Sequence, residues 1–109
     1  MALIVWSIMA WVGETGVFLS AAFAVPSMTE PIAAFLAMPI GTLSTLLPSS
    51  PGYIGTFDYF VIEAATVVGN PPVAASAFAV VAHLILWTTA TVVGGICFAI
   101  WSFLRITHE

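Results

Sequence analysis

The chain has 109 residues, 61% of them apolar and 6% charged, against roughly a quarter charged in an ordinary soluble domain. Arg105 is the only base, there is no lysine, and Glu14, Glu30, Asp58, Glu63 and Glu109 set the formal charge of −4. That balance argues against a water-soluble fold and leaves almost nothing to neutralise phosphates, so nucleic acid is not an expected partner.

The first apolar stretch runs from Leu3 to Val25. As a helix it is about 34 Å long, enough to cross a hydrocarbon core of about 30 Å. Ala22-Phe23-Ala24 mimics a cleavage site. However, no base precedes the stretch and Glu14 interrupts it, which speaks against a secretory signal. Pro26 to Pro31 is a polar turn in which Ser27 or Thr29 can cap a second helix with Pro31 in its first turn.

That second helix, Pro31 to Leu47, is about 25 Å long and contains Pro39 and Gly41, which predicts a short and kinked element. The segment Pro48-Ser49-Ser50-Pro51-Gly52-Tyr53-Ile54-Gly55-Thr56 follows, and its prolines and glycines preclude a regular helix. Phe57 to Val68 predicts a half-length helix of about 18 Å, closed by Gly69-Asn70-Pro71-Pro72. The last apolar run, Val73 to Leu104, is about 48 Å as one helix, which requires tilt, extension into the interface or a bend near Gly94-Gly95. Its bilayer part is placed at Ala77 to Trp101.

These segments predict an all-α integral membrane protein with about three transmembrane helices. A short re-entrant or half-helix (57–68) accompanies the spans at about 3–25, 31–47 and 77–101, all within a single transmembrane domain, 1–109. Irregular backbone at membrane depth survives only where protein buries it or a water-filled cavity borders it. Paired short or broken helices are also the sequence pointer to a midplane site in transporters. An interfacial loop joining two helices is the competing reading of the same residues.

The order and spacing of these residues carry a family resemblance. Leu47 to Asp58, then Gly69-Asn70-Pro71-Pro72, then His83 and the Gly94-Gly95 region resemble the transmembrane region of lysylphosphatidylglycerol synthases and the related flippase-like integral membrane proteins. In that family the loop reads P-x-x-P-G-G-x-G with an acid shortly after, and a preceding helix carries W-x-x-E, similar to Trp11-Val12-Gly13-Glu14. Tyr53 replaces the second glycine, Asp58 a glutamate and His83 an arginine. The resemblance implies a multi-pass protein of a prokaryotic plasma membrane that moves or presents aminoacylated or other polar-headed lipids. Family members are about three times longer on the usual scale of chain sizes, so the chain is expected to be a C-terminal portion.

The expected lipid-headgroup groove consists of Glu14, Pro51, Gly52, Gly55, Asp58, Glu63 and His83. Glu14 falls mid-span, where an ionisable residue marks function by default, helix-gluing hydrogen bonds being the plainer use. Thr56 can cap the half-helix and place Asp58 in its first turn. A phosphate cradled at that helix start would be repelled by Asp58. Glu63, five positions on, points about 140° away from Asp58, so the two acids do not share a face. His83 can carry a proton or donate to a headgroup. With many acids and one base, headgroups bearing an amine are preferred over purely anionic ones.

Ala90 with Gly94 and Thr91 with Gly95 give small-residue spacing suited to helix packing, and Arg105 beside Trp101 reads as an interfacial anchor. Trp6, Trp11 and Trp87 read as lipid-facing bulk. The usual catalytic signatures are missing, two histidines (His83 and His108) do not make a metal site, and Cys97 has no disulfide partner. No enzymatic activity, metal or cofactor is therefore expected. Membrane lipids are the expected partners, together with an N-terminal half, another copy or a transferase. The alternatives to lipid translocation are an anchor or partner subunit of a lipid-modifying transferase and an inactive truncated fragment.

Overall fold

A computed structural model describes residues 1–107. His108 and Glu109 lie outside the described residues. Among the described residues the chain is all-helical: α1 (Ala2–Ala24), α2 (Ala33–Ser44), a 3₁₀ turn (Pro51–Tyr53), α3 (Thr56–Val68) and α4 (Pro72–Thr107). Two of the helices, α1 and α4, are long and apolar enough to cross a membrane. Packing runs around a ring, α1 against α2, α2 against α3, α3 against α4 and α4 back against α1.

Small side chains make the ring tight. Ala21 and Ala22 of α1, Ala33, Ala34 and Ala37 of α2, Ala64 and Ala65 of α3, and Ala74, Ala75, Ala79 and Ala82 of α4 are all buried. Such small side chains let the helix backbones approach closely. The bulk at the centre comes from Phe18, Phe57 and Phe78, with Phe18 6.0 Å from Phe57 and 6.1 Å from Phe78 between ring centroids.

The tightest approach is at Gly41. A methyl group there would lie 2.8 Å from Val61 Cγ2 and 2.9 Å from Phe57 Cε2. The small-residue spacing at Ala90–Gly94 and Thr91–Gly95 serves no such contact: these residues are exposed, and no neighbouring atom lies within 4 Å of a methyl group placed on Gly94 or Gly95. The reason is where the core sits. Buried residues of α4 stop at Ala82 and those of α1 begin at Phe18, so the core occupies one end of both long helices. Helix α4 remains one uninterrupted helix of 36 residues through Gly94-Gly95, about 54 Å long. The longest extent of the molecule is 57 Å, so α1 lies within the length of α4.

The expected boundaries hold closely for α1 and α3, and α2 is shorter than predicted at both ends. Neither Ser27 nor Thr29 caps α2, whose start is built from 3₁₀-type bonds, Ala33 N–H to Glu30 O and Ala34 N–H to Pro31 O, both 3.1 Å. Its end unwinds the same way, with Leu46 N–H on Leu43 O and Leu47 N–H on Ser44 O. The predicted glycine stop of α3 is in place, Gly69 lying in the left-handed region at φ 118° with Asn70 N–H bonded to Ala65 O.

Asn70 then ties together two turns that chain order separates. Its Oδ1 accepts the backbone N–H of Thr29 at 3.1 Å and of Glu30 at 2.9 Å. Its Nδ2 donates to Glu30 O and Ala65 O, both at 3.1 Å. The amide is 97% buried and fully satisfied.

Candidate functional site

The site forms where the 3₁₀ turn reaches back over α4. Pro48 to Pro51 and Tyr53 to Gly55 are exposed and Gly52 is half-buried, so the irregular segment is not sheltered by burial. Several of its backbone groups have specific partners. Tyr53 N–H bonds Ser50 O at 2.9 Å, Ser50 Oγ donates to Ile54 O at 2.8 Å, and Gly55 N–H donates to Asp58 Oδ2 at 3.1 Å. The remaining contact comes from α4, whose His83 Nε2 lies 2.8 Å from Gly52 O.

Asp58 therefore works in two directions. As the third residue of α3, its Oδ2 takes the N–H of Gly55, which is the N-cap, one position earlier than the Thr56 cap the sequence suggests. The shift arises because Gly55 adopts φ 94°, outside the helix, while Thr56 is already helical. Its other oxygen, Oδ1, lies 2.8 Å from His83 Nδ1. A carboxylate already sits on the free N–H groups and positive end of α3, which disfavours a phosphate at the same place.

The carbonyl partner assigns the hydrogen on one nitrogen of His83. Gly52 O only accepts, so Nε2 carries a hydrogen and donates it. The ring's other nitrogen, Nδ1, faces Asp58 Oδ1 at 2.8 Å. The ring is also packed 4.9 Å from that of Phe57. His83 thus holds the turn and the start of α3 to α4 with both nitrogens.

Glu14 approaches from α1. Thr42 Oγ1 of α2 donates to Glu14 Oε1 at 2.7 Å. Glu14, Thr42, Gly52, Tyr53, Phe57, His83 and Trp87 are among the residues lining one cavity of about 330 Å³. A second cavity of about 320 Å³ touches Ile54 and Asp58 and shares His83 and Trp87 with the first. The only ion pair among the described residues is that of His83 with Asp58. Arg105 stands at the far end of α4, 5.4 Å from the Trp101 ring.

Of the seven residues singled out in the sequence, Glu14, Gly52 and His83 line the first cavity, and Asp58 and His83 line the second. Gly55 contributes through its bond to Asp58, and Pro51 starts the turn. Glu63 lies on the exposed side of α3, away from both cavities, as its angular separation from Asp58 requires. Thr42, Tyr53, Trp87 and Asn70 were not marked for these roles. Tyr53 has a signal in hindsight: it stands between glycines and is the only non-glycine among the described residues with positive φ, 58°, a conformation costing roughly 1–2 kcal/mol.

No family model matches the chain, and no characterised protein or solved structure shows significant similarity to it.

Proposed function

We propose that the chain is a multi-pass membrane protein whose helices form a groove for the headgroups of polar lipids, and that it takes part in their translocation. The observation that carries this reading is the meeting of Glu14, Thr42, Asp58 and His83 at two adjoining cavities in a chain otherwise almost devoid of charge. Ionisable side chains within apolar helices are expensive to keep in a bilayer and mark polar pathways. Helices α2 and α3, 12 and 13 residues long, are about 18–20 Å each and too short to cross a bilayer singly. With the turn between them they form a re-entrant pair beside the spanning α1 and α4. Gly52 O, Tyr53 N–H, Ile54 O and Gly55 N–H of the turn are partnered through His83, Ser50 and Asp58, and the rest of this exposed backbone is accommodated at membrane depth by the water-filled groove that the proposal supplies. The headgroup moves along the groove while the acyl chains remain in lipid. The resemblance of the loop to that of flippase-like proteins supports the same reading.

Purified protein in liposomes carrying a fluorescent phospholipid tests it. The expected result is faster equilibration of label between leaflets than in empty liposomes. The rate falls at least tenfold in Glu14→Gln and in Asp58→Asn, both of which preserve the local hydrogen bonds. Label movement equal to that of empty liposomes, or unchanged rates in both variants, overturns the proposal.

A further inference from the structure

Among the described residues, one hydrogen bond ties the segment between α2 and α3 to α4. Positions 45–56 include no buried residue. The bonds of Tyr53 N–H, Ser50 Oγ and Gly55 N–H stay within the turn and the start of α3. Only Gly52 O reaches α4, at His83 Nε2. Packing beside Trp87, whose Nε1 lies 3.6 Å from a methyl group placed on Gly52, adds a contact with no titratable group. Tyr53, at φ 58°, holds a left-handed conformation that an L residue leaves once it is free to do so.

The single tie depends on a count of protons. His83 faces two acceptors, Gly52 O through Nε2 and Asp58 Oδ1 through Nδ1, each at 2.8 Å. For both contacts to be hydrogen bonds, the ring and the carboxyl group must hold two protons between them. A neutral imidazole beside an ionised carboxylate holds one. The pair makes both bonds only after taking up one more, as imidazolium with carboxylate or as imidazole with carboxylic acid. When that proton leaves to water, the two acceptors compete for one ring hydrogen. The carboxylate takes it, because a charge-assisted bond is stronger than one to a neutral carbonyl. The hydrogen then sits on Nδ1, a bare Nε2 faces Gly52 O, and the pair has gone from no net charge to one negative charge.

Other ionisable groups near the pair are few. Glu14 of α1 and Tyr53 of the turn share the first cavity with His83, α2 brings only the hydroxyls of Thr42 and Thr45, and the cavity touching Asp58 has no further titratable residue besides His83.

We infer that His83 and Asp58 together form a proton-binding site that latches the turn onto α4. With the extra proton the pair holds Gly52, and without it the turn is released. Its bearing on lipid movement, as control over the opening of the groove, rests on the groove reading; the latch itself is measured without lipid transport.

Spin labels on cysteines introduced at Ser49 and Thr91, both exposed, in a Cys97→Ala background report the distance between the turn and α4 by pulsed electron paramagnetic resonance. The full chain in detergent micelles is compared from about pH 5 to about pH 9, a range that spans histidine titration. A single narrow distance distribution is expected at the acid end, and a broader, longer component at the alkaline end. The ratio of released to latched molecules rises by at least about fivefold, the scale set by loss of one hydrogen bond. Asp58→Asn stays latched throughout, because its amide donates to Nδ1 and leaves the hydrogen on Nε2 for Gly52 without an extra proton. His83→Phe, which keeps a ring beside Phe57, is released at both ends of the range. Glu14→Gln retains the pH response.

A parent distribution that does not change with pH, a response that survives in Asp58→Asn or vanishes in Glu14→Gln, or a turn that stays latched in His83→Phe overturns the inference. A pH response without lipid movement overturns the translocation proposal alone. Lipid movement without a pH response overturns the latch alone.

Discussion

Asn70 shows how one side chain can replace several missing caps. The turn from Pro26 to Pro31 has backbone groups that neither Ser27 nor Thr29 satisfies, and the Asn70 amide reaches them from the opposite turn, 40 and 41 positions away. Asn70→Ala leaves the N–H groups of Thr29 and Glu30 and the carbonyl of Glu30 to find other partners, while Ala65 O keeps the backbone N–H of residue 70. At about 1 kcal/mol net per bond it is expected to lower stability by roughly 2–4 kcal/mol, read as a shift in the midpoint of detergent-denaturation titrations. Gly41 is the other residue whose identity the packing dictates. Gly41→Ala forces Val61 and Phe57 aside and is expected to cost about 1–3 kcal/mol. The double variant with Val61→Ala is less destabilised than the two single effects combined, because the 2.8 Å clash with Cγ2 is gone. Strict additivity in that cycle would show that the two side chains do not meet.

At the scale of elements, α3 is held at its start by a carboxylate and at its end by a glycine, and the start also carries the site. Asp58→Ala removes both the acceptor for Gly55 N–H and the partner of His83. Loss of such a cap alone is worth about 1 kcal/mol, so the variant should unfold at lower denaturant. Asp58→Asn is expected to stay close to the parent: its amide oxygen accepts from Gly55 and its NH₂ donates to an Nδ1 left bare by the Nε2–H tautomer. Comparing the two variants therefore separates the structural duty of Asp58 from any role of its charge. If the asparagine variant is as unstable as the alanine one, the hydrogen-bond assignment at His83 is wrong. Much of α3 was legible beforehand, because Gly69-Asn70-Pro71-Pro72 is strong punctuation and the half-length apolar run leaves few alternatives. The N-cap moved by one residue because Gly55 and Thr56 are both competent caps, and only the positive φ of Gly55 distinguishes them.

For the whole molecule, the decisive feature is that the core lies at one end of α1 and α4, which leaves the first half of α1 and α4 from Trp87 onward largely apolar and exposed. Membrane lipid is the medium that accommodates such surfaces. Cys97, on the exposed part of α4, gives a direct measurement. In sealed vesicles it is expected to resist a charged maleimide and to react once detergent is added. A cysteine introduced at Ser49 in a Cys97→Ala background reports the depth of the turn. Reaction with a small charged reagent but not with a polymer-bound maleimide is expected for a turn inside a groove. Equal reaction with both places the segment in bulk water and removes the basis for a headgroup path.

Composition and hydropathy were sufficient for the all-helical class, the two long apolar helices, the break at Pro48 to Gly55 and the opposed directions of Asp58 and Glu63, since these depend on local periodicity and on residues that cannot continue a helix. The cavity and its partners were not available at that level. That Thr42 meets Glu14, that His83 bridges Asp58 and Gly52, and that Trp87 lines a cavity rather than serving only as outer bulk all depend on how four helices rotate about one another. Those rotations are set by alanine faces and by Gly41, whose contacts lie far apart in the chain, and side chains that meet only through such packing leave no mark in the order of the residues.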